Sequence, residues 1–393
     1  MLTQDFADFS HKEYAQRLAR LRTLMAANQM DAVLLTTDTN HRYFTGHHTH
    51  RWMHKFTPLF ALLPLEGDAV LIVPPSESIA CEWDSWVETI RIYPPVPDRA
   101  GVEVIVEVIK ELGLESGRIG TELGGVLWMR MPFEDFGQIQ NDLPRAEFVD
   151  ASPLLWKLRF CKSPAEVDYI RKAVAITNET YQVLFSELKP GMTEREIYSL
   201  LAVQQLMRGA EQPGSITFAP HRPEEKRGCD RVLRRHTDRT LAEGDLVALD
   251  CGCVYRGYWS DYTRTFAIIR ASTQARDAYR AIYECLQEAI AGMKPGVPIS
   301  DLVQIVIKKL KALGYAEQAE RVRRIGHATG LDIIEPPFMD IDETIPLEEG
   351  MVFTVEPSMY TDDGFFMLEE DVLITDRGNE ILSTPASPDL PIF

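Results

Sequence analysis

The sequence predicts an α/β protein of two domains, the second of which contains two similar halves. A chain of 393 residues is long enough for two hydrophobic cores. In the first 152 residues, short apolar strands alternate with helical patterns. The second half contains helix, Lys-Pro-Gly break and helix twice, and strand-rich sequence follows each copy. These observations predict one domain at residues 1–155 and another at residues 156–393.

The first domain begins with a predicted amphipathic helix at residues 11–30, where apolar residues recur at helical spacing and Arg17 lies off their stripe. Short apolar strands follow, and the helical stretch GVEVIVEVIKELGL lies between the last two of them. The predicted strands are DAVLLTT, FALLPL, AVLIVP, TIRIY and RIGTEL. The α/β layer closes near residues 146–152.

The second domain begins with a helix-start signature, in which Ser163 is the N-cap, Pro164 follows it and Glu166 completes a capping box. The first repeat copy starts at Tyr181 and the second about a hundred residues later. Thr193 and Ser300 lie near the start of the second helix in each copy. The predicted product is a sheet covered by helices in two pseudo-symmetric halves.

Composition excludes several classes of protein. The net charge of −18 argues against nucleic acid and anionic membranes as partners, because both require a basic surface. The N-terminal residues do not resemble a signal peptide, and no run reaches the roughly 18 apolar residues of a membrane span. The six cysteines show no zinc-type pairs, and Cys251 and Cys253 are interpreted as small residues on one face of a buried strand. A reducing cytoplasm is the expected location.

The stretch LDCGCVYRGYWSDYTRTF, residues 249–266, predicts a β-hairpin with its turn near residues 255–257. A pairing centred there places Asp250 almost directly opposite Asp261. Directly opposed like charges destabilise a sheet. The two aspartates therefore require a compensating partner.

Three later segments offer further groups of the same kind. His327 lies in the glycine-containing stretch RIGHATG, and Glu356 ends an apolar, β-branched strand. In GFFMLEEDVLIT, strand alternation puts Leu368, Glu370 and Val372 on one face, so that Glu370 is the predicted inward acid. Acids inside apolar strands are costly unless they are paired or bind a cation.

Four carboxylates and one imidazole suit two divalent metal ions with bridging carboxylates. Any one of these residues alone is commonly a solvated or hydrogen-bonded side chain. Five of them, each in a strand-like or glycine-containing stretch, together predict a metal site. Mn²⁺ is the expected ion, with Fe²⁺, Co²⁺ or Zn²⁺ as alternatives. The predicted ligands are Asp250, Asp261, His327, Glu356 and Glu370.

The order of these five residues resembles that of the pita-bread-fold metallopeptidases, in the branch that contains prolidase, aminopeptidase P and creatinase. The stretches DAVLLTTDTNHRYFTGHH, KSPAEVDYIRKA, LKPGMTEREI and LAEGDLVALD are also similar to that family. The resemblance implies a creatinase-like α/β domain followed by a pita-bread domain. Creatinase-type relatives lack the metal ligands, whereas this chain keeps all five.

The resemblance also implies an activity. We expect a cytoplasmic homodimer that hydrolyses a C–N bond of small substrates, most of all Xaa-Pro dipeptides, with a metal-bridging hydroxide as the nucleophile. Glu356 is expected to bind metal and act as general base. Two alternatives stay open: a hydrolase or lyase of an osmolyte-like or cyclic-amide metabolite at the same site, and a non-catalytic metal-containing binding protein.

Three departures from the family pattern concern groups that polarise the substrate. Ile334 lies where the family has a second histidine. Leu368, two residues before the predicted ligand Glu370, lies where the family has an arginine. Leu233 stands at the simplest match to a further histidine, which makes His236 a candidate catalytic residue and His221 a candidate substrate-binding residue.

Two loops are predicted to compensate. The histidine-rich loop at residues 41–56 offers His48, Arg51 and Trp52 as substrate-binding residues, and in the resembling family this loop reaches a partner subunit's active site. The arginine-rich loop at residues 221–236 offers a bidentate partner for a substrate carboxylate. Its candidates are Arg231, Arg234 and Arg235.

Overall fold

The computed structural model describes residues 7–54, 57–94, 100–222 and 233–393. It divides into two compact units, Met1–Arg159 and Phe160–Phe393. Within the described residues, the helices include none that is long and apolar enough to cross a membrane.

The first unit is built on a six-stranded sheet with the strand order β4-β3-β2-β1-β5-β6. The pairs β1–β5, β3–β4 and β5–β6 are parallel, while β2 runs antiparallel to both of its neighbours. Its helices and strands are α1 His11–Ala27, β1 Ala32–Leu35, α2 Asp38–Thr45, a 3₁₀ turn His50–Met53, β2 Phe60–Pro64, β3 Val70–Val73, α3 Ser78–Asp84, β4 Thr89–Ile92, α4 Val102–Glu111, β5 Arg118–Thr121, α5 Phe133–Asp142 and β6 Glu147–Asp150. Helix α6, Ser152–Phe160, follows β6.

The predicted N-terminal helix is present, but one of its polar residues is internal. Arg17 is only 2% exposed. Its guanidinium lies over the rings of Phe9 and Tyr43 and donates to the Tyr43 carbonyl oxygen at 2.8 Å. Periodicity alone put Arg17 off the buried stripe, because it does not register that a cation can be buried against aromatic rings.

The second unit contains helices and, within the described residues, three sheets. The sheets have the strand orders β7-β8-β9, β11-β10-β12-β15-β16 and β13-β14. The elements are α7 Pro164–Glu187, α8 Glu194–Met207, β7 Gln212–His221, β8 Leu246–Tyr255, β9 Tyr258–Ala267, α9 Thr273–Gly292, α10 Ile299–Ala312, α11 Ala316–Glu320, β10 Arg324–Ala328, β11 Glu335–Asp340, β12 Val352–Val355, β13 Ser358–Thr361, β14 Gly364–Met367, β15 Glu370–Thr375 and β16 Gly378–Ile381.

The repeated helix pairs occupy equivalent places in the two halves of this unit. Apolar residues of α7 and α8 pack with β8 and β9 in one core, and those of α9 and α10 pack with β10, β12 and β15 in another. The capping box of Ser163 and Glu166 is present, and Thr193 is the N-cap of α8. In the second copy the N-cap is Pro298, so that Ser300 lies inside α10.

Strand β9 joins the two halves. The N–H of Glu369 donates to the Thr263 carbonyl oxygen at 3.3 Å, and the Thr265 hydroxyl donates to the Met367 carbonyl oxygen at 2.7 Å. These bonds bring the chain between β14 and β15 against β9, the edge strand of the three-stranded sheet. The predicted acids of both halves therefore meet along this junction.

Candidate functional site

The hairpin of β8 and β9 carries both aspartates, in a register that differs from the prediction. Arg256 and Gly257 form the two-residue turn with φ of +51° and +82°, as a type I′ turn requires. Asp250 consequently pairs with Thr263, and Asp261 pairs with Gly252. The predicted direct opposition of the aspartates is wrong, because the turn lies one residue further along the chain. They are diagonal neighbours on one face of the hairpin, which keeps both carboxylates in the same site.

Each aspartate has one carboxylate oxygen that accepts no hydrogen bond from the residues that the structure describes. Thr217 donates to Oδ2 of Asp250 at 3.1 Å. Oδ1 of Asp250 and Oδ1 of Asp261 are buried and accept no hydrogen bond from the described part of the chain. Buried acceptors in this state are costly unless a cation or water satisfies them.

His327 presents one ring nitrogen to this face. Nδ1 donates to the Ala328 carbonyl oxygen at 3.0 Å. In a neutral imidazole, Nε2 is then unprotonated and its lone pair is available to a cation. Nε2 lies 3.9 Å from Oδ2 of Asp261 and 3.8 Å from Oε1 of Glu356. Three electron-pair donors therefore face one another, an arrangement that a cation between them would stabilise.

Glu356 directly follows β12, and its N–H donates to the Ile325 carbonyl oxygen at 2.7 Å. Its side chain is 18% exposed, whereas those of Asp261 and His327 are 6% and 5% exposed. Of these three groups, Glu356 is thus the most accessible from the cavity.

The last acid of the cluster is Glu369, and the prediction of Glu370 is corrected. Ligand atoms of Asp261, His327 and Glu369 all lie within 4.8 Å of one another, and they form the only such group of three or more within the described residues. The carboxylate of Glu369 accepts a hydrogen bond from the Thr263 hydroxyl at 2.7 Å.

Glu370 points to the opposite side of the strand. Its carboxylate accepts hydrogen bonds from Arg264 Nη2 at 2.8 Å, from the Ala386 N–H at 2.8 Å and from the Ser383 hydroxyl. The alternation argument failed because residues 368–369 lie outside β14 and β15, and because both faces of β15 are buried. Apolar neighbours therefore do not show which face carries the site.

Because the candidate ligand is Glu369 and not Glu370, the position at which the resembling family has an arginine also shifts by one residue. Two residues before Glu369 is Met367, not Leu368, and Met367 lines the cavity. An apolar side chain still occupies the place where the resembling family has arginine.

Asp371 and Arg264 form hydrogen bonds with the backbone of two residues of the cluster, Asp261 and Glu369. Oδ2 of Asp371 accepts a hydrogen bond from the N–H of Asp261 at 3.1 Å. Nη1 of Arg264 donates to the Glu369 carbonyl oxygen at 2.7 Å, and its guanidinium lies 4.5 Å from the centre of the Tyr262 ring. The sequence analysis missed both supporting residues, because only their bonded partners show what they do.

Burial and mutual repulsion make the cluster electrostatically unfavourable on its own. Burial and the neighbouring charges of Glu369 and Asp250 raise the pKa of Asp261 well above its usual range. Burial and the charge of Glu356 likewise raise the pKa of Glu369. Burial lowers the pKa of His327 to about 4, so that its ring is neutral at neutral pH, as a metal ligand must be.

These observations fit a site for divalent cations. The donor set is one neutral imidazole and several carboxylates, which suits Mn²⁺, Fe²⁺ or Co²⁺ better than a thiolate-preferring ion. Among the described residues, two aspartate oxygens find no hydrogen-bond donor, and the lone pair of His327 faces two carboxylates. The group consists of Asp250, Asp261, His327, Glu356 and Glu369.

The cluster lies in a cavity of about 1030 Å³ in the second unit. One part of the wall is polar and contains the acids and His327. Another part is apolar and includes Trp259, Ile333, Ile334 and Met359. Leu233 also lines this cavity, so apolar residues occupy all three positions at which the family pattern departs.

The two histidines proposed as substitutes are not among the described residues that line the cavity. The ring of His236 stacks on Tyr198 with centroids 4.0 Å apart. His221 is the last residue of β7 and lies beside Gly364. The structure therefore gives no support to a catalytic role for His236 or a substrate-binding role for His221.

The arginine-rich loop is described only in part, because Arg231 lies outside the described residues. Arg234 makes a bidentate ion pair with the buried carboxylate of Glu194, at 2.8 Å for each bond. Arg235 is exposed. Arg234 is thus committed to a structural partner and not to a substrate.

The histidine-rich loop is held within the first unit. Arg51 forms an ion pair with Glu77, and Trp52 is buried with its ring 5.4 Å from that of His41. His48 is exposed. These internal contacts explain Arg51 and Trp52 without a substrate, while a role for His48 stays a prediction.

Comparisons with known proteins identify relatives of this chain. Residues 17–161 match the creatinase/prolidase N-terminal domain. An Xaa-Pro dipeptidase of Pyrococcus furiosus is 30% identical over 374 residues, which cover 94% of this chain and 97% of that protein. An uncharacterized peptidase of Bacillus subtilis is 25% identical over 375 residues, which cover 93% of this chain and 97% of the relative.

Solved structures show the same fold. The prolidase from Pyrococcus horikoshii has a TM-score of 0.80 at 25% identity, and the match covers 94% of this chain and 98% of that one. An Xaa-Pro dipeptidase from Bacillus anthracis has a TM-score of 0.83 at 24% identity, with 97% and 100% covered. Residues 168–376 match metallopeptidase family M24, which is more than half of the chain. The chain belongs to metallopeptidase family M24 and is a metal-dependent hydrolase with a pita-bread domain.

Proposed function

We propose that this protein is an Xaa-Pro dipeptidase that uses two divalent metal ions, with Mn²⁺ as the expected ion. The observation that carries the proposal is the group of four carboxylates and one neutral histidine on the wall of a substrate-sized cavity. The relative from Pyrococcus furiosus that is named Xaa-Pro dipeptidase supports the choice of substrate.

The proposed ligands are Asp250, Asp261, His327, Glu356 and Glu369. When bound, two divalent cations would supply a water of lowered pKa as the nucleophile and polarise the substrate carbonyl. These five side chains would hold the ions. Support comes from the buried oxygens of Asp250 and Asp261 that accept no hydrogen bond from the described residues.

Glu356 is proposed to move the proton. Its carboxylate is more exposed than Asp261 and His327, and it lies 3.8 Å from Nε2 of His327. A carboxylate in this place can accept a proton from the attacking water and deliver it to the departing nitrogen. The proline nitrogen, which belongs to a tertiary amide in the substrate, must take up this proton to leave as a secondary amine when the C–N bond breaks.

The apolar wall offers a surface for a proline ring. Trp259 donates its indole N–H to the Leu331 carbonyl oxygen at 3.1 Å, which fixes the ring plane beside the cavity. Ile333 and Ile334 line the same cavity. A rigid aromatic and two branched side chains favour a compact apolar group over a long polar one.

A second candidate is the hydrolysis of a non-peptide amide at the same metal site. Leu233, Ile334 and Met367 are apolar where peptidases of the family carry polar groups, so substrates with fewer charges to bind would also suit this cavity. Both candidates require the same ligands and differ only in substrate.

The experiment compares metal-loaded and chelator-stripped protein on a panel of Xaa-Pro dipeptides and cyclic or acyclic amide metabolites. We expect hydrolysis of the dipeptides by the metal-loaded form only. Turnover of the metabolites without turnover of any dipeptide would select the second candidate.

Glu356→Gln is the matched variant for the proposed base. We expect it to keep its fold and lower kcat by roughly 10² or more, the usual scale for the loss of a general base. Metal content by elemental analysis separates this role from ligation. An unchanged rate with metal retained would exclude the base role.

The homodimer also belongs to this proposal. His48 is exposed in the first unit, as a residue that acts on a partner subunit must be. If each site uses both chains and His48→Ala is itself inactive, mixing it with inactive Glu356→Gln should restore activity after subunit exchange. A mixture that stays inactive after proven exchange would assign the whole site to one chain.

A further inference from the structure

Strand β10 carries an arginine on the same face as His327, the histidine among the proposed metal ligands. Arg324 pairs with Asp340 on β11, and His327 pairs with Phe338. Three steps along β10 therefore match two steps along β11, which is a β-bulge. Because residues 338 and 340 share a face of β11, the bulge puts Arg324 and His327 on one face.

Contacts agree with this placement. The guanidinium carbon of Arg324 lies 5.4 Å from the centre of the Phe338 ring. Both Arg324 and His327 line the cavity. At about 3.3 Å per residue, the two positions are roughly 10 Å apart along the strand, a distance that the arginine side chain spans in large part.

The neighbouring cavity arginines are already paired. Arg321 forms an ion pair with Glu317, and Arg323 forms ion pairs with Asp340 and Asp342. Asp340, Asp342 and Glu343 share a smaller cavity with Arg324, but none of them forms an ion pair with it within the described residues, and Asp340 and Asp342 pair with Arg323. An arginine that lines a cavity and forms no ion pair is available to an anionic ligand.

We infer that Arg324 binds a carboxylate of the substrate and makes an anionic group a requirement for efficient turnover. The inference rests on the proposed peptidase function and adds a substrate-binding residue to it. Two sources of this carboxylate are chemically equivalent, namely the free C-terminus of a dipeptide and an acidic side chain.

The test measures kcat and KM of the metal-loaded, full-length protein on Ala-Pro, Ala-Pro amide and Glu-Pro amide. We expect Arg324→Gln to lower kcat/KM on Ala-Pro by roughly 10- to 100-fold, mainly through KM, since a hydrogen-bonded charge is lost. Ala-Pro amide should change little. If the side chain is the source, the large loss should appear on Glu-Pro amide instead.

Arg323→Gln is the matched control, because it removes a cavity arginine whose charge Asp340 and Asp342 already balance. Its effect should be much smaller than that of Arg324→Gln, and Arg324→Lys should recover part of the activity. Metal content should not change. An Arg324→Gln variant that retains the wild-type preference among the three substrates would overturn the inference.

Failure of the peptidase proposal is distinguishable from failure of this inference. If the wild type hydrolyses none of the three, calorimetry on the metal-loaded protein compares the binding of L-proline with that of L-prolinamide. Tighter binding of the carboxylate that is lost in Arg324→Gln would support the anion site. Equal binding of the two compounds by the wild type would overturn it.

Discussion

Three consecutive acids have three different roles in this protein, namely Glu369, Glu370 and Asp371. Glu369 belongs to the group of candidate metal ligands, Glu370 pairs with the buried Arg264, and Asp371 accepts a hydrogen bond from the backbone N–H of Asp261. All three are buried, so each carboxylate needs its own compensation. Substitutions at neighbouring positions should therefore differ in how their effect on stability depends on metal.

Glu369→Gln should stabilise the metal-free protein and destabilise the metal-loaded protein relative to wild type. Without metal, the change removes a charge that repels Glu356 and Asp250. With metal, it removes a proposed ligand. Melting temperatures in chelator and in excess Mn²⁺ measure both effects, and the same sign of change in the two conditions would contradict the account.

Glu370→Ala is the contrasting variant. It leaves the buried charge of Arg264 without its carboxylate partner, a loss that costs about 3–5 kcal/mol in comparable cases. We expect a large fall in the free energy of unfolding whether or not metal is present. A variant that loses only metal affinity would place Glu370 among the ligands after all.

Residue chemistry and spacing were sufficient to predict four members of the cluster. Asp250, Asp261, His327 and Glu356 were singled out because acids and a histidine in apolar or glycine-rich strands need a reason. The choice between the two neighbouring glutamates failed, because alternation identifies a site only where one face of a strand is exposed. The supporting arginine and aspartate were missed, since their roles depend on bonds between segments about a hundred residues apart.

At the level of the element, the hairpin register depends on two glycines. Gly257 takes a positive φ in the turn, and Gly252 pairs with Asp261. A Cβ on Gly252 would overlap the Ser260 carbonyl oxygen, which the backbone cannot accommodate without moving. Movement there would displace Asp261.

Gly252→Ala should therefore reduce metal affinity as well as stability. Gly257→Ala is the control, since an alanine in the left-handed region costs about 1–2 kcal/mol but lies away from the cluster. Calorimetric titration with Mn²⁺ and chemical unfolding measure the two quantities. Equal metal affinity in the two variants would show that the close approach at Gly252 does not position Asp261.

The elements themselves were largely predictable, and their errors have local causes. Apolar runs located β1 to β5 of the first unit and β8, β9, β12 and β15 of the second, and capping residues located the starts of α7 and α8. The hairpin turn was placed one residue early, which was enough to change every partner of Asp250. The joining of the two sheets at β9 was not predictable, because hydrogen bonds such as that between Thr265 and Met367 leave no pattern in the sequence.

At the scale of the whole molecule, metal binding should contribute to stability, because the folded chain gathers acids that the unfolded chain keeps apart. An ion that binds only the folded state stabilises it by about 4 kcal/mol at roughly 1,000 times its dissociation constant. For a protein of this size, such a loss corresponds to a fall of several degrees in the melting temperature.

Wild-type protein should therefore melt lower in chelator and recover in excess Mn²⁺. Asp261→Ala is the control, and its melting temperature should depend much less on metal, because one proposed ligand is gone. Elemental analysis of the dialysed protein shows whether the chelator has removed the ions. Ions removed without any shift in melting temperature would mean that the buried acids do not depend on metal for their stability.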